Sequence, residues 1–157
     1  MRFPRKKEVG LFVIVYALFS LAGFLFPIDK EWYASLKKPS WTPSGQGIGI
    51  IWAVLFGLIS LATVLVARKT NFGKDGGNYY WLLVINYIFN QAFSFFQFNM
   101  KNLWLATVDC VFVALTSLML VFSSAKKSKT VSMLLVPYVL WSSFATYLAY
   151  TIYSLNK

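Results

Sequence analysis

The residues able to do chemistry in this sequence are few and of narrow type. Trp52 and Trp141 sit inside long apolar runs, and Tyr79 to Met100 (YYWLLVINYIFNQAFSFFQFNM) carries Asn86, Asn90, Gln91, Ser94 and Gln97 through 22 residues without a charge. At about 100° per residue, Asn86, Asn90, Phe93, Ser94 and Gln97 fall within roughly a third of a helix circumference. An amide left in hydrocarbon without a partner costs several kcal/mol. This face must therefore look into a bundle, either as glue between helices or at a ligand. Asp109 is the one acid inside an apolar run, and Gln91 and Gln97 are near enough in depth to partner it, so a hydrogen-bond node is expected there.

That inventory suits recognition of a flat, largely apolar molecule with a few polar atoms. It excludes much else. The chain has no histidine and one cysteine, Cys110, so an intrachain disulfide is ruled out and the common haem and zinc ligand sets are missing. There is no pair of acids inside the apolar runs and no nucleotide-binding loop. We therefore expect no metal site and no resident cofactor.

The elements that position these residues follow from composition. With 58% hydrophobic and 13% charged residues, the 157-residue chain is too apolar for a soluble domain of its size and reads as an all-α integral membrane protein. A net charge of +10 raises nucleic acid as a partner, but the basic residues lie almost entirely between apolar runs, as membrane flanks do. Five spans are expected, at about 9–28, 47–67, 79–100, 103–125 and 131–155, forming a five-transmembrane-helix bundle in one domain. The basic start raises a signal peptide, but the first run is too long and lacks a small-residue cleavage pattern, so it reads as a retained span.

The flanks give orientation. Arg2, Arg5, Lys6, Lys7, Arg68, Lys69, Lys74, Lys126, Lys127 and Lys129 fall on the side of the N-terminus, ten against five opposite, which in a bacterial cell membrane puts that side in the cytoplasm. The loop from Asp29 to Gln46 is then external and has structure of its own. Asp29 caps a short amphipathic helix through Lys38, with Trp32, Tyr33 and Leu36 on one side and Pro39 as its stop. Pro39 and Pro43 stiffen the rest of the loop. In the second span Gly45, Gly49, Ala53 and Gly57 recur every four residues and predict a close helix contact. Only Lys101 and Asn102 separate the third and fourth spans, a tight hairpin, and Pro137 predicts a bend in the fifth.

Depth counting brings Trp52, Asn90 and Trp141 into the same half of the bundle, beneath that loop. An aromatic cavity with amides and a Pro-Trp-rich lid is expected there, with Lys30, Lys37 and Lys38 at its mouth to meet ligand carboxylates.

At these residues the chain resembles the translocator protein family, also called tryptophan-rich sensory proteins or peripheral benzodiazepine receptors. The resemblance rests on Trp32-Tyr33 through Lys38-Pro39-Ser40-Trp41-Thr42-Pro43 before Trp52, on Asn90 to Phe96, on Asp109, and on Pro137-Tyr138-Val139-Leu140-Trp141-Ser142-Ser143-Phe144-Ala145. It implies five transmembrane helices, homodimers, and binding of porphyrins, sterols and synthetic isoquinoline carboxamides under the first loop. For bacterial members it also implies a light- and oxygen-dependent breakdown of protoporphyrin IX. By position, Tyr33, Trp52, Phe56, Asn90, Phe93, Trp141 and Ala145 would line the pocket, and Trp52 and Trp141 would be the pair involved in breakdown. Gln91, Ser94 and Cys110 complete the set of candidate ligand contacts. Three residues depart from the family pattern: Ser44 for the second proline after Trp41, Phe93 for a tryptophan, and Ala149 for an asparagine.

The sequence supports two readings. One is a porphyrin-binding protein in which the excited ligand supplies the chemistry beside oxidisable indoles. The other is a receptor or carrier for porphyrin, sterol or lipid without catalysis.

Overall fold

Capping residues and apolar runs set the helix boundaries. The computed structural model describes residues 4–157, with no strand among the described residues; Arg2, one of the basic flanks, lies outside them. The helices are α1 (Lys6–Ser20), α2 (Ala22–Leu25), α3 (Lys30–Ser35), α4 (Gly45–Lys69), α5 (Gly77–Ser94), α6 (Leu103–Ala125) and α7 (Lys129–Asn156). A π turn, Phe95–Asn99, continues α5. Among the described residues, four segments are long and apolar enough to cross a membrane: Lys6–Leu25, Gly45–Lys69, Leu103–Ala125 and Lys129–Asn156.

The expected cap at Asp29 is in place, and the structure adds two more. The Asp29 carboxylate accepts the Trp32 N–H at 3.0 Å, Ser44 Oγ accepts the Gly47 N–H at 3.0 Å, and Asn102 Oδ1 accepts the Leu105 N–H at 2.9 Å. Each satisfies a donor that the first helical turn leaves orphaned. Ser44, the departure from the family's proline pair, thus starts α4. Lys101 turns the hairpin with φ 53°, and α6 begins two residues later.

Packing runs around a ring: α1 on α4, α4 on α7, α7 on α6, α6 on α5, and α5 back against α1 and α2. Its centre holds Phe19, Leu55, Ile59, Val66, Tyr79, Val113, Leu120, Leu135 and Tyr138. At one end Arg68 pairs with Glu8 through two contacts, 3.0 and 2.8 Å, and Lys127 Nζ donates to the Asp75 carbonyl. At the other end Lys101 pairs with Asp29 at 2.9 Å, and Asn156 holds the Lys37 peptide. Helix α5 and its π turn connect the first end to the second.

Two boundaries differ from expectation. The first span is Lys6–Leu25 rather than 9–28 and breaks at Leu21. The cause lies 70 residues away: Gln91 Nε2 donates to the Phe19 carbonyl at 2.9 Å and Gln91 Oε1 accepts the Ala22 N–H at 2.8 Å, so one amide is inserted into the helical ladder. Helix α3 ends at Ser35 rather than Lys38, because Lys38 Nζ folds back onto the carbonyls of Tyr33 (2.6 Å) and Leu36 (3.1 Å). Helix α7 is continuous across Pro137, the expected bend site, which is exposed on its outer side.

Candidate functional site

Beneath the first loop the aromatics of α4 and α7 converge. Trp52 meets Trp141 edge to face with ring centroids 6.5 Å apart, Phe56 at 5.6 Å and Tyr138 at 6.2 Å. Trp141 continues to Phe144 at 5.2 Å, and Phe144 to Trp41 of the loop at 5.7 Å. Trp41 also stacks on Tyr147, 5.3 Å apart and 10° from parallel. The loop therefore lies on the bundle through the same aromatic file that leads down to Trp52. Edge-to-face and offset pairs of this kind contribute about 0.5–1.5 kcal/mol each beyond area burial.

The remaining loop contacts fix its shape. The Lys37 N–H donates to Asn156 Oδ1 at 3.0 Å while Asn156 Nδ2 donates to the Lys37 carbonyl at 2.8 Å. Tyr33 meets Phe98 at 6.3 Å, and Lys38 Nζ sits 4.6 Å over the Tyr33 ring. Partial burial raises the Tyr33 phenol above its ordinary pKa. At the hairpin Lys101 Nζ holds Asp29 and lies 5.7 Å over Trp32. Of the three lysines assigned to the mouth, Lys38 is thus turned inward as a loop strut, while Lys30 and Lys37 are exposed.

Below the aromatics lies a polar network. Tyr138 Oη donates to Asn86 Oδ1 at 2.8 Å and accepts from Asn90 Nδ2 at 3.1 Å. Asn86 Nδ2 reaches Thr116 Oγ1 at 2.8 Å, and Gln91 Nε2 reaches Asn90 Oδ1 at 3.1 Å. Three helices, α5, α6 and α7, are joined by amides that satisfy one another, which is the glue alternative for this face. Asn90 and Tyr138 form the floor under Trp52 and Trp141.

The other candidates differ in burial. Phe93, Ser94 and Ala145 are half-buried. Cys110 is buried, and its carbonyl accepts from Thr146 Oγ1 at 3.1 Å. Asp109 is buried, but its Oδ2 receives no hydrogen bond, so the node expected there sits on Tyr138 instead. Trp141 Nε1 is likewise buried with its donor unused. Buried polar atoms are normally paired, so these two stand out as groups a polar ligand atom would satisfy.

Tyr138 and Tyr147 are the site residues that sequence reasoning missed. The signal is present, since Tyr138 and Phe144 lie one turn on either side of Trp141 and Tyr147 comes a further turn after Phe144. Among the described residues no cluster of ligating side chains would hold a metal ion.

A family model described as the TspO/MBR family matches residues 11–155. Over 154 residues the chain is 53% identical to a protein of Bacillus cereus named Tryptophan-rich protein TspO, covering 98% of this chain and 99% of that one. It is 56% identical over 154 residues to a Bacillus subtilis membrane protein named YtaB, covering 96% and 99%. A human protein named Translocator protein is 28% identical over 131 residues, 80% of this chain and 75% of its own.

Proposed function

The chain belongs to the TspO/MBR family, and from that premise we propose that it is a five-span membrane receptor that binds protoporphyrin IX and related flat apolar ligands beneath its first loop. Helix α5 with its π turn is the fifth crossing on this reading. Its polar residues lower its hydropathy, and its ends lie with opposite ends of the bundle. The observation that carries the ligand assignment is the meeting of Trp52 and Trp141 above the Asn90–Tyr138 floor. A tetrapyrrole stacked on these indoles would offer its polar atoms to the unused Trp141 Nε1 and leave its propionates near the exposed Lys37.

With a porphyrin in place, light supplies the excited state and molecular oxygen the oxidant, so breakdown needs no acid–base or metal machinery from the protein. The indoles hold the ring and are themselves oxidisable. Sterols and uncharged isoquinoline carboxamides would use the same aromatic file. Gly45 and Gly49, outward on α4 where an added Cβ would meet nothing within 4 Å, support a homodimer formed by close helix approach.

The deciding experiment titrates purified protein with protoporphyrin IX and follows tryptophan quenching and the Soret band, in light and dark, with and without oxygen. Saturable quenching with light- and oxygen-dependent Soret loss supports the photo-oxidative reading. Saturable quenching with no more Soret loss than free porphyrin supports the receptor or carrier, and no saturable quenching overturns both.

A further inference from the structure

A groove far from this site opens on the bundle at the basic end. It measures about 640 Å³ and is lined by Phe72, Gly73, Lys74, Tyr80, Trp81 and Val84, among others. We propose that this groove is a binding site for one anionic phospholipid, with its phosphate on Lys74 and an acyl chain along Trp81 and Val84.

The groove is shaped by the turn between α4 and α5. Asn71 and Phe72 adopt left-handed backbone with φ 48° and 59°, and the Phe72 N–H closes on the Ala67 carbonyl at 2.7 Å. For a bulky residue such as phenylalanine that region is an outlier. It leaves the Phe72 ring 42% exposed on the groove. Gly73 is required where it stands, and Gly76 lets the Tyr80 ring lie close against the turn. A Cβ at Gly73 would lie 2.9 Å from the Thr70 carbonyl, and one at Gly76 would lie 2.6 Å from the Tyr80 ring. These two close approaches let the turn fold tightly and set Tyr80 as one wall.

Position and charge identify the occupant. Val84 lies seven residues into α5 from Gly77, about 10 Å along the axis, so the groove runs from the polar turn down to hydrocarbon depth. Trp81 is 71% exposed at the intermediate level, where indoles sit at the headgroup boundary. Lys74 makes no ion pair among the described residues, whereas Arg68 is committed to Glu8 and Lys127 to the Asp75 carbonyl. Asp75 beside Lys74 is the one acid on this turn, and Lys69, Lys126 and Lys127 keep the surroundings basic. A charged head, an amphipathic collar and an apolar slot in that order match a phospholipid. A soluble anion would use only the first.

The test is native mass spectrometry of the full chain in detergent, titrated with phosphatidylglycerol or phosphatidylcholine of equal chain length. One phosphatidylglycerol should be retained about fivefold better than phosphatidylcholine, the factor one interfacial lysine contributes. Lys74→Gln should abolish that preference, and Trp81→Ala should weaken both lipids. Lys126→Gln, at the same end but outside the groove, should keep the preference, and excess glycerol phosphate should not displace the lipid. Equal retention of the two lipids by the parent chain, an unchanged preference in Lys74→Gln, or an equal loss in Lys126→Gln would overturn the site. Displacement by glycerol phosphate would overturn the lipid as its occupant.

Discussion

Trp52 of α4 and Trp141 of α7 meet edge to face at 6.5 Å, 84° from parallel, so two helices far apart in the chain present their indoles to one point. If porphyrin breakdown occurs there, it depends on both indoles. Changing either to phenylalanine keeps an aromatic wall and should retain porphyrin binding within about tenfold, roughly 1.4 kcal/mol. Loss of the Soret band under light should slow in each and most in the double variant. A double variant that bleaches bound porphyrin as fast as the parent would place the photochemistry in free solution.

The floor makes a separate prediction about stability. Tyr138→Phe removes the hydroxyl that pairs Asn86 Oδ1 with Asn90 Nδ2, leaving two buried amide atoms unpaired. A hydrogen bond inside a membrane protein averages only about 0.6 kcal/mol, but stranding a buried polar group costs about 1–3 kcal/mol, and the second effect dominates here. SDS-induced unfolding in mixed micelles should show a loss of about 1–3 kcal/mol. A loss below a few tenths would mean the amides re-pair elsewhere.

What can be read from the sequence divides along the range of the interactions. The cap at Asp29, the tight hairpin at Lys101, and the placing of Trp52, Asn90 and Trp141 in one half of the bundle all follow from local spacing, and the structure agrees with them. The break at Leu21 is invisible to local spacing because Gln91, which holds it, is distant in sequence and reads as a partner for Asp109 and a candidate ligand contact. Helix α3 reads too long for a related reason: Pro39 is a visible stop, but the return of the Lys38 ammonium onto the Tyr33 and Leu36 carbonyls depends on the folded loop. The π turn at Phe95–Asn99 carries no composition signal of its own. Depth alone suggests partners for Asp109, and depth does not fix rotation.

Rotation also separates two glycines of the α4 stripe. A Cβ added at Gly57 would lie 3.9 Å from the Tyr16 ring of α1, whereas one at Gly49 would meet nothing within 4 Å. Gly57→Leu should therefore lower the melting temperature by forcing α1 off α4, and Gly49→Leu should leave it unchanged while shifting a dimer toward monomer. Size-exclusion chromatography with light scattering reads the second effect. An unchanged oligomeric state in Gly49→Leu would turn that face to lipid.

The first loop should respond to acid through Asp29. The Lys101 ammonium, and then the Trp32 N–H, hold the Asp29 carboxyl below its ordinary pKa. A carboxylate whose folded-state pKa is lowered stabilises the fold above the unfolded value, and that contribution is lost as pH falls through the lowered folded value. Hydrogen-exchange protection of the α3 amides, corrected for intrinsic rates, should therefore fall in mildly acidic to acidic buffer. Asp29→Asn keeps a capping oxygen but no charge and should flatten that dependence. A parent-like pH profile in Asp29→Asn would assign the effect to another group.

Two adjacent lysines of that loop should behave differently, although their sequence positions look equivalent. The Lys37 side chain is exposed while Asn156 clamps its peptide, whereas Lys38 Nζ is spent on the Tyr33 and Leu36 carbonyls. An exposed ion pair contributes about 0–1 kcal/mol, so Lys37→Gln should weaken protoporphyrin by no more than about fivefold and reduce its salt dependence. It should leave an uncharged isoquinoline carboxamide nearly unaffected. Lys38→Gln removes an internal strut and should weaken both ligands alike, as Asn156→Ala should by releasing the Lys37 peptide. Tryptophan-quenching titrations at low and high salt with the two ligands separate these cases. Charge-selective loss in Lys38→Gln would show that its ammonium faces the ligand, and equal losses in Lys37→Gln would show that the loop had come off the bundle.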